Sequence, residues 1–165
     1  MRSRAAIGNH PIHPMLVPLP IGAFFLALIG DVAYSGDAKT GFWYDLSYVC
    51  LAVGIATALL AAVFGAIDYF SVKMSGQGFR LATWHALLNV LMLTLYTTSF
   101  LLRRHGAAAA GSRWVVAAAL GFVGFGLLAV TAWLGGSVAH EHRVGVIERL
   151  KVVRPAPRKS ERAAS

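Results

Sequence analysis

Apolar residues fill four long blocks of this chain, and the charged residues other than Asp31 lie in the intervals between the blocks and at both ends. A helix that crosses the hydrocarbon core of a bilayer needs about 20 predominantly apolar residues, and each block is that long. Strands do not explain the blocks, because period-two alternation is absent and lipid does not tolerate open sheet edges. The blocks predict spanning helices over 15–34, 46–67, 81–102 and 114–138.

The intervals between the blocks are short, so sequential helices are expected to be antiparallel neighbours. The predicted fold class is therefore all-α: a polytopic membrane protein with an antiparallel bundle of four transmembrane helices. Residues 1–148 form the predicted transmembrane domain. Residues 149–165 mix Lys, Arg, Pro and Ser with few apolar residues, and they are expected to form a disordered basic tail.

Composition supports a membrane protein over a soluble one. Of the 165 residues, 57% are hydrophobic and 13% are charged, whereas a soluble domain carries about 25% charged residues. The net charge of +8 suggests contact with anionic lipid and no nucleic acid, since no basic surface interleaved with aromatic residues is present. The single cysteine, Cys50, excludes an internal disulfide and a cysteine-ligated metal or iron–sulfur site.

Lys and Arg are distributed unequally between the two sides of the predicted bundle. Eleven lie in the N-terminus, the second loop and the tail, and four lie in the other two loops: Lys39, Arg103, Arg104 and Arg113. Cytoplasmic loops carry an excess of these residues. Both termini are therefore expected in the cytoplasm, with the chain in a bacterial inner membrane.

Five of the six histidines are predicted at one membrane face. The polar residues at this face come from the segment before the first span, the end of the second span, the start of the third and the segment after the fourth. They are His10, His13, Asp68, His85, Asn89, His140 and His142. Ionisable groups in spans usually face the bundle interior, and imidazole ligates transition metals and haem iron. The convergence favours a haem or metal site, with His105 in the opposite loop.

Structural roles account for each of these residues taken singly. His140 and His142 suit an ordinary membrane interface, and His85 could bond across helices. Asp68 could balance nearby cations, and Asp31 could mark the outer end of the first span.

Other chemistry finds little support. The chain has no G-x-S-x-G elbow, P-loop, G-x-G-x-x-G or H-E-x-x-H motif, so no catalytic residue is assigned. No internal repeat is evident, and transport would require a homo-oligomer.

Several runs resemble the DUF2231 family of predicted membrane proteins. The runs are GNHPIHPMLVPLPIG from Gly8 to Gly22, GAIDYF around Asp68, WHALLN around His85, and GGSVAHEHRVGV from Gly135 to Val146. The family pattern carries over onto His10, His13, His85 and His142, together with Asp31, Asp68 and Asn89. The chain departs from that pattern at His140, where an aromatic or other residue is expected, and at Arg143, where glycine is expected. Family members fused to Rieske-type domains imply electron transfer, for which this chain would need a separate iron–sulfur or cytochrome partner.

The leading hypothesis is an electron-transfer or binding subunit, rather than a complete enzyme, that holds b-type haem or a transition metal. His85 and His142 are the preferred ligand pair. His10 and His13 are alternative ligands, a second metal site, or partners of a haem propionate. Asp68 and Asn89 would orient an imidazole through its other nitrogen. Two alternatives stay open: a non-catalytic membrane scaffold with a structural histidine cluster, and a small transporter component.

Overall fold

A computed structural model describes residues 3–8, 10–36, 40–72, 74, 76–106 and 111–140. His142 and the predicted tail at 149–165 lie outside the described residues, as does the side chain of His140. The elements in chain order are β1 (Ala6–Ile7), β2 (His10–Pro11), α1 (Ile12–Leu16), α2 (Pro18–Ser35), α3 (Gly41–Ser71), α4 (Gly76–Arg103) and α5 (Gly111–His140).

The predicted four-span, all-α architecture is confirmed. The helices long and apolar enough to cross a membrane are Ile12–Ser35, Gly41–Ser71, Gly76–Arg103 and Gly111–Ala139. Each is longer than the span predicted from hydropathy, because hydropathy marks the hydrocarbon core while the helix continues through the interface.

The first span is broken once, between α1 and α2. Pro18 and Pro20 donate no backbone N–H groups, so the carbonyls one turn earlier lose their helical partners at this point. The chain nevertheless keeps its direction, since the N–H of Val17 bonds to the carbonyl of His13 and the N–H of Ile21 bonds to that of Val17. The prolines therefore interrupt the helical hydrogen bonds of the span without ending it.

A small antiparallel pair precedes the first span. Ile7 pairs with His10, and Gly8 makes the tight turn between them at a φ of 60°, which glycine adopts readily. The absence of strands was predicted for the spans, and this pair lies outside them.

The helices pack as two hairpins: α2 packs chiefly on α3, and α4 packs chiefly on α5. We call α1–α3 the first hairpin and α4–α5 the second hairpin. The buried core between them is built from Phe24, Ala27, Leu51, Met92, Tyr96 and Leu128. At its centre the rings of Phe24 and Tyr96 stack with centroids 3.8 Å apart and planes 3° apart.

Candidate functional site

His13 and His85 come together at one end of the bundle, which we call the histidine end. His13 lies in α1 and His85 near the start of α4. Their ring centroids are 6.5 Å apart, and the rings are nearly perpendicular, at 80°. Both residues are half-buried. The two imidazoles therefore lie edge to face at the junction of the two hairpins.

Each imidazole is held in the same way by the second helix of its own hairpin. Nδ1 of His13 lies 2.8 Å from the carbonyl oxygen of Ala61, and Nδ1 of His85 lies 2.9 Å from that of Thr131. A carbonyl oxygen only accepts, so each Nδ1 donates its hydrogen. In a neutral imidazole the lone pair available for a metal is then on Nε2.

Glycines let the two rings approach the helix backbone. A Cβ atom at Gly65 would lie 3.0 Å from Cε1 of His13, and one at Gly135 would lie 3.0 Å from Cε1 of His85. Both distances are tighter than most Cβ contacts. Glycine at these two positions therefore leaves the space that the two imidazoles occupy.

Asn89 holds His85 from one helical turn away. Its Nδ2 donates to the backbone carbonyl of His85 at 2.7 Å and lies 3.3 Å from Nδ1 and 3.2 Å from Nε2. Near-equal distances to both ring nitrogens place the amide over the ring face, off the axis of the Nε2 lone pair. Asn89 thus restrains the imidazole without occupying the lone pair of Nε2.

The remaining predicted site residues are not gathered at this pair. His10 is exposed in β2. Asp68 bonds to the N-terminal segment: its carboxylate accepts from Ser3 Oγ at 2.7 Å and from the backbone N–H groups of Arg4 and Ala5. It was predicted to orient an imidazole. In the structure, the backbone N–H groups of the N-terminal segment bind the carboxylate of Asp68.

Within the described ranges, no three His, Cys, Asp or Glu side chains cluster in a way that could hold a metal ion. The predicted pairing of His85 with His142 falls partly outside those ranges.

A second polar cluster, which the sequence reasoning missed, lies at the other end of the bundle. We call this the arginine end. Arg103 forms a bidentate ion pair with Asp31, in which Nη1 meets Oδ1 and Nη2 lies 2.8 Å from Oδ2. The Ser47 hydroxyl donates to Asp31 Oδ1 at 2.7 Å and accepts from Arg103 Nη1 at 2.9 Å. Side-chain exposure is 0% for Arg103 and 4% for Asp31.

All four spans converge on this ion pair. Asp31 comes from α2, Ser47 from α3 and Arg103 from α4, and a Cβ at Gly121 of α5 would lie 3.3 Å from Asp31 Oδ2. The signal was the lone acid inside the first apolar block, since a carboxylate there needs a partner. Arg103 was counted as a loop charge because it stands at the end of its block.

One face of α4 connects the two ends. His85, Asn89, Met92, Tyr96, Ser99 and Arg103 recur at intervals of three and four residues, which places them on one stripe of a helix. Five of the six are polar. His85 and Arg103 are 18 positions apart, about 27 Å along the helix axis.

Comparison with known protein families gives a match over most of the chain. The model of a family described as "Predicted membrane protein (DUF2231)" matches residues 9–148, in agreement with the resemblance that the HPIHP run indicated. No curated protein and no solved structure matches the chain.

Proposed function

This chain belongs to the DUF2231 family of predicted membrane proteins, and we propose that it is an electron-transfer subunit that holds b-type haem between His13 and His85. The observation that carries the proposal is the matched pair of imidazoles. Each directs its Nδ1 hydrogen to a helix carbonyl and so keeps the Nε2 lone pair for a metal.

The spacing of the rings fits this role. A metal held between two imidazoles separates the ring centroids by roughly 6 Å, given a metal–nitrogen distance of about 2.0–2.1 Å on each side. The rings of His13 and His85 are 6.5 Å apart.

The number of ligands favours haem over a metal held by protein alone. Porphyrin supplies four of the ligands of haem iron, so two histidines complete the set. A structural zinc site takes four protein ligands and a catalytic one takes three, and the described residues contain no such group. A transition metal could instead be bound by the two histidines together with ligands from outside those residues. Elemental analysis of the purified protein would detect such a metal.

The chain's own residues orient and restrain the ligands. The carbonyls of Ala61 and Thr131 fix the tautomer of His13 and His85, and such partners of a ligating histidine strengthen metal binding. Asn89 restrains the His85 ring from its face. Haem iron held by two imidazoles takes up and releases one electron. No catalytic group is assigned, so a separate iron–sulfur or cytochrome protein would exchange the electron.

Histidine variants test the proposal. His13→Ala and His85→Ala, purified after expression with a haem precursor, are expected to lose most of the Soret absorbance per mole of protein. His10→Ala and His105→Ala serve as controls, because both side chains are exposed and His105 follows α4 at the arginine end. Haem that binds to the parent protein and survives both His13→Ala and His85→Ala would refute the ligand assignment.

The same hydrogen bonds also favour a second candidate, a structural histidine pair. Each imidazole joins two helices of its hairpin through one carbonyl, and interhelical hydrogen bonds of this kind stabilise membrane bundles by about 0.6 kcal/mol on average. A scaffold would lose thermal stability in both variants and would have no bound haem or metal to lose. Cofactor content therefore separates the two candidates.

The chain is a multi-pass membrane protein, and we propose that its histidine end faces the cytoplasm of a bacterial inner membrane. Arg103 is buried and paired with Asp31, so it does not act as a loop charge. This leaves only Lys39, Arg104 and Arg113 on the opposite side, which strengthens the asymmetry of basic residues. Reporter fusions at the C-terminus would test the orientation.

A further inference from the structure

The residues that meet between the two hairpins occupy equivalent positions in them. Three contacts join the first span to the third: the His13–His85 ring contact, the Phe24–Tyr96 stack and the Asp31–Arg103 ion pair. In every one of them the second partner follows the first by 72 positions. The contacts are spread over the whole length of the bundle, so this constant offset is a property of the two spans.

Contacts inside the hairpins repeat with a second constant offset. His13 bonds to the carbonyl of Ala61 and His85 to that of Thr131, which lies 70 positions further along. A Cβ at Gly65 would meet His13, and one at Gly135 would meet His85.

The same relationship holds at the core. A Cβ at Gly54 would lie 2.5 Å from the Phe24 ring, and one at Gly124 would lie 3.1 Å from the Tyr96 ring. Gly54 and Gly124 are again 70 positions apart. Two helices of each hairpin therefore pack in the same register at the histidine end and at the centre.

From these two offsets we infer that the chain consists of two structurally equivalent helix hairpins, which recognise each other across a pseudo-twofold axis parallel to the spans. In a twofold interface, a residue on the axis contacts its own equivalent. His13 with His85, and Phe24 with Tyr96, are pairs of this kind. The inference does not depend on the proposed cofactor.

The ion pair makes this recognition selective. Two copies of the first hairpin would bring two buried Asp31 carboxylates together at the axis, and two copies of the second would bring two Arg103 guanidinium groups together. Buried like charges are strongly unfavourable, and specificity often depends on such repulsion. The pairing of Asp31 with Arg103 thus favours association of the first hairpin with the second over association of two identical hairpins. The surface of each hairpin that faces the axis is an interaction surface whose partner is the other hairpin.

Exchanging the charges across the axis tests the inference in the full chain. Asp31→Arg alone and Arg103→Asp alone each bury two like charges, and each is expected to lower Tm by about 10 °C or more. The exchange also moves the hydroxyl, since Ala117 is the position equivalent to Ser47. The quadruple variant Asp31→Arg/Arg103→Asp/Ser47→Ala/Ala117→Ser is expected to melt within about 5 °C of the parent.

A quadruple variant that melts as low as the single variants would overturn the inference, because equivalent hairpins must accept the exchange. A milder exchange covers the case in which charge variants fail to fold. Phe24→Tyr/Tyr96→Phe transposes one hydroxyl across the axis, and the expected Tm lies within about 3 °C of the parent. A loss for this double variant equal to that of Phe24→Ala would likewise contradict equivalence.

Discussion

Arg103 and Asp31 form a buried, bidentate ion pair at the arginine end, with Ser47 bridging the two side chains. Removing two charges from water is costly, and the cost is met only when the geometry is good and further hydrogen bonds satisfy both ions. Bidentate pairing and the Ser47 hydroxyl satisfy both carboxylate oxygens and the two terminal guanidinium nitrogens, whereas Nε of Arg103 is buried with no hydrogen-bond partner among the described residues. The pair therefore fixes the relative position of α2, α3 and α4.

Ser47→Ala removes the hydroxyl that bonds to both ions. Hydrogen bonds to charged groups contribute about 1.5–3 kcal/mol each, so the variant is expected to lose about 2–3 kcal/mol of stability on unfolding in detergent. Ser35→Ala is the control, since the hydroxyl of Ser35 is exposed and bonds only to the nearby carbonyl of Val32. Equal losses for the two serines would contradict the bridging role of Ser47.

Two adjacent glycines provide a matched test of the histidine end. Gly135→Ala would place a Cβ 3.0 Å from Cε1 of His85, whereas Gly136→Ala meets nothing within 4 Å. The first variant is expected to displace the imidazole and lower haem occupancy about 10-fold, the lower limit for altered support of a ligand. The second should match the parent. Haem titration followed at the Soret band would measure both, and indistinguishable titrations would argue against His85 as a ligand.

Close packing of the first hairpin depends on Gly30. A Cβ there would lie 2.8 Å from the backbone oxygen of Trp43, and a helix backbone cannot yield locally as a side chain can. Gly30→Ala is expected to destabilise the protein by about 1–3 kcal/mol. In the same helix, Gly22→Ala meets no atom within 4 Å and should be neutral or stabilising by up to about 1 kcal/mol. Thermal unfolding would rank the two, and the reverse order would exclude this packing.

Asp68 anchors the N-terminal segment, through Ser3 and the N–H groups of Arg4 and Ala5. Asp68→Asn removes the charge that strengthens these hydrogen bonds. Amide exchange over residues 3–8 is expected to accelerate about 10-fold, equivalent to about 1.4 kcal/mol. Asp45→Asn, at an exposed carboxylate of α3, is the control. Unchanged exchange in the Asp68 variant would show that the segment is held by other contacts.

The spans were predictable because a single physical requirement, about 20 apolar residues, defines each of them. Helix rotation was not, because lipid-facing and core-facing residues are both apolar in a membrane protein. Val90 is 66% exposed and Leu51 only 1%, yet hydropathy hardly distinguishes them. The meeting of His13 with His85 therefore required the packed helices.

Polar residues indicated a site where they lay inside an apolar block, because a polar side chain within a membrane span is unfavourable without a partner. Asp31 was noticed as an acid within a block, but its partner Arg103 lies 72 positions away and looked like part of a loop. Asp68 was expected to support an imidazole, and local N–H groups of the N-terminal segment bind it instead. The equivalence of the hairpins escaped the sequence because the identical pairs, such as His13 and His85, are scattered among paired positions that differ, such as Asp31 and Arg103.

The visible absorption spectrum of the purified protein tests the central claim, that His13 and His85 hold haem, most directly. The measurement compares the oxidised protein with the dithionite-reduced protein in detergent after expression with ample haem precursor. A Soret band that sharpens on reduction, together with new α and β bands, is the predicted result. A featureless spectrum from well-folded protein would contradict the claim and leave a colourless metal or a structural histidine pair.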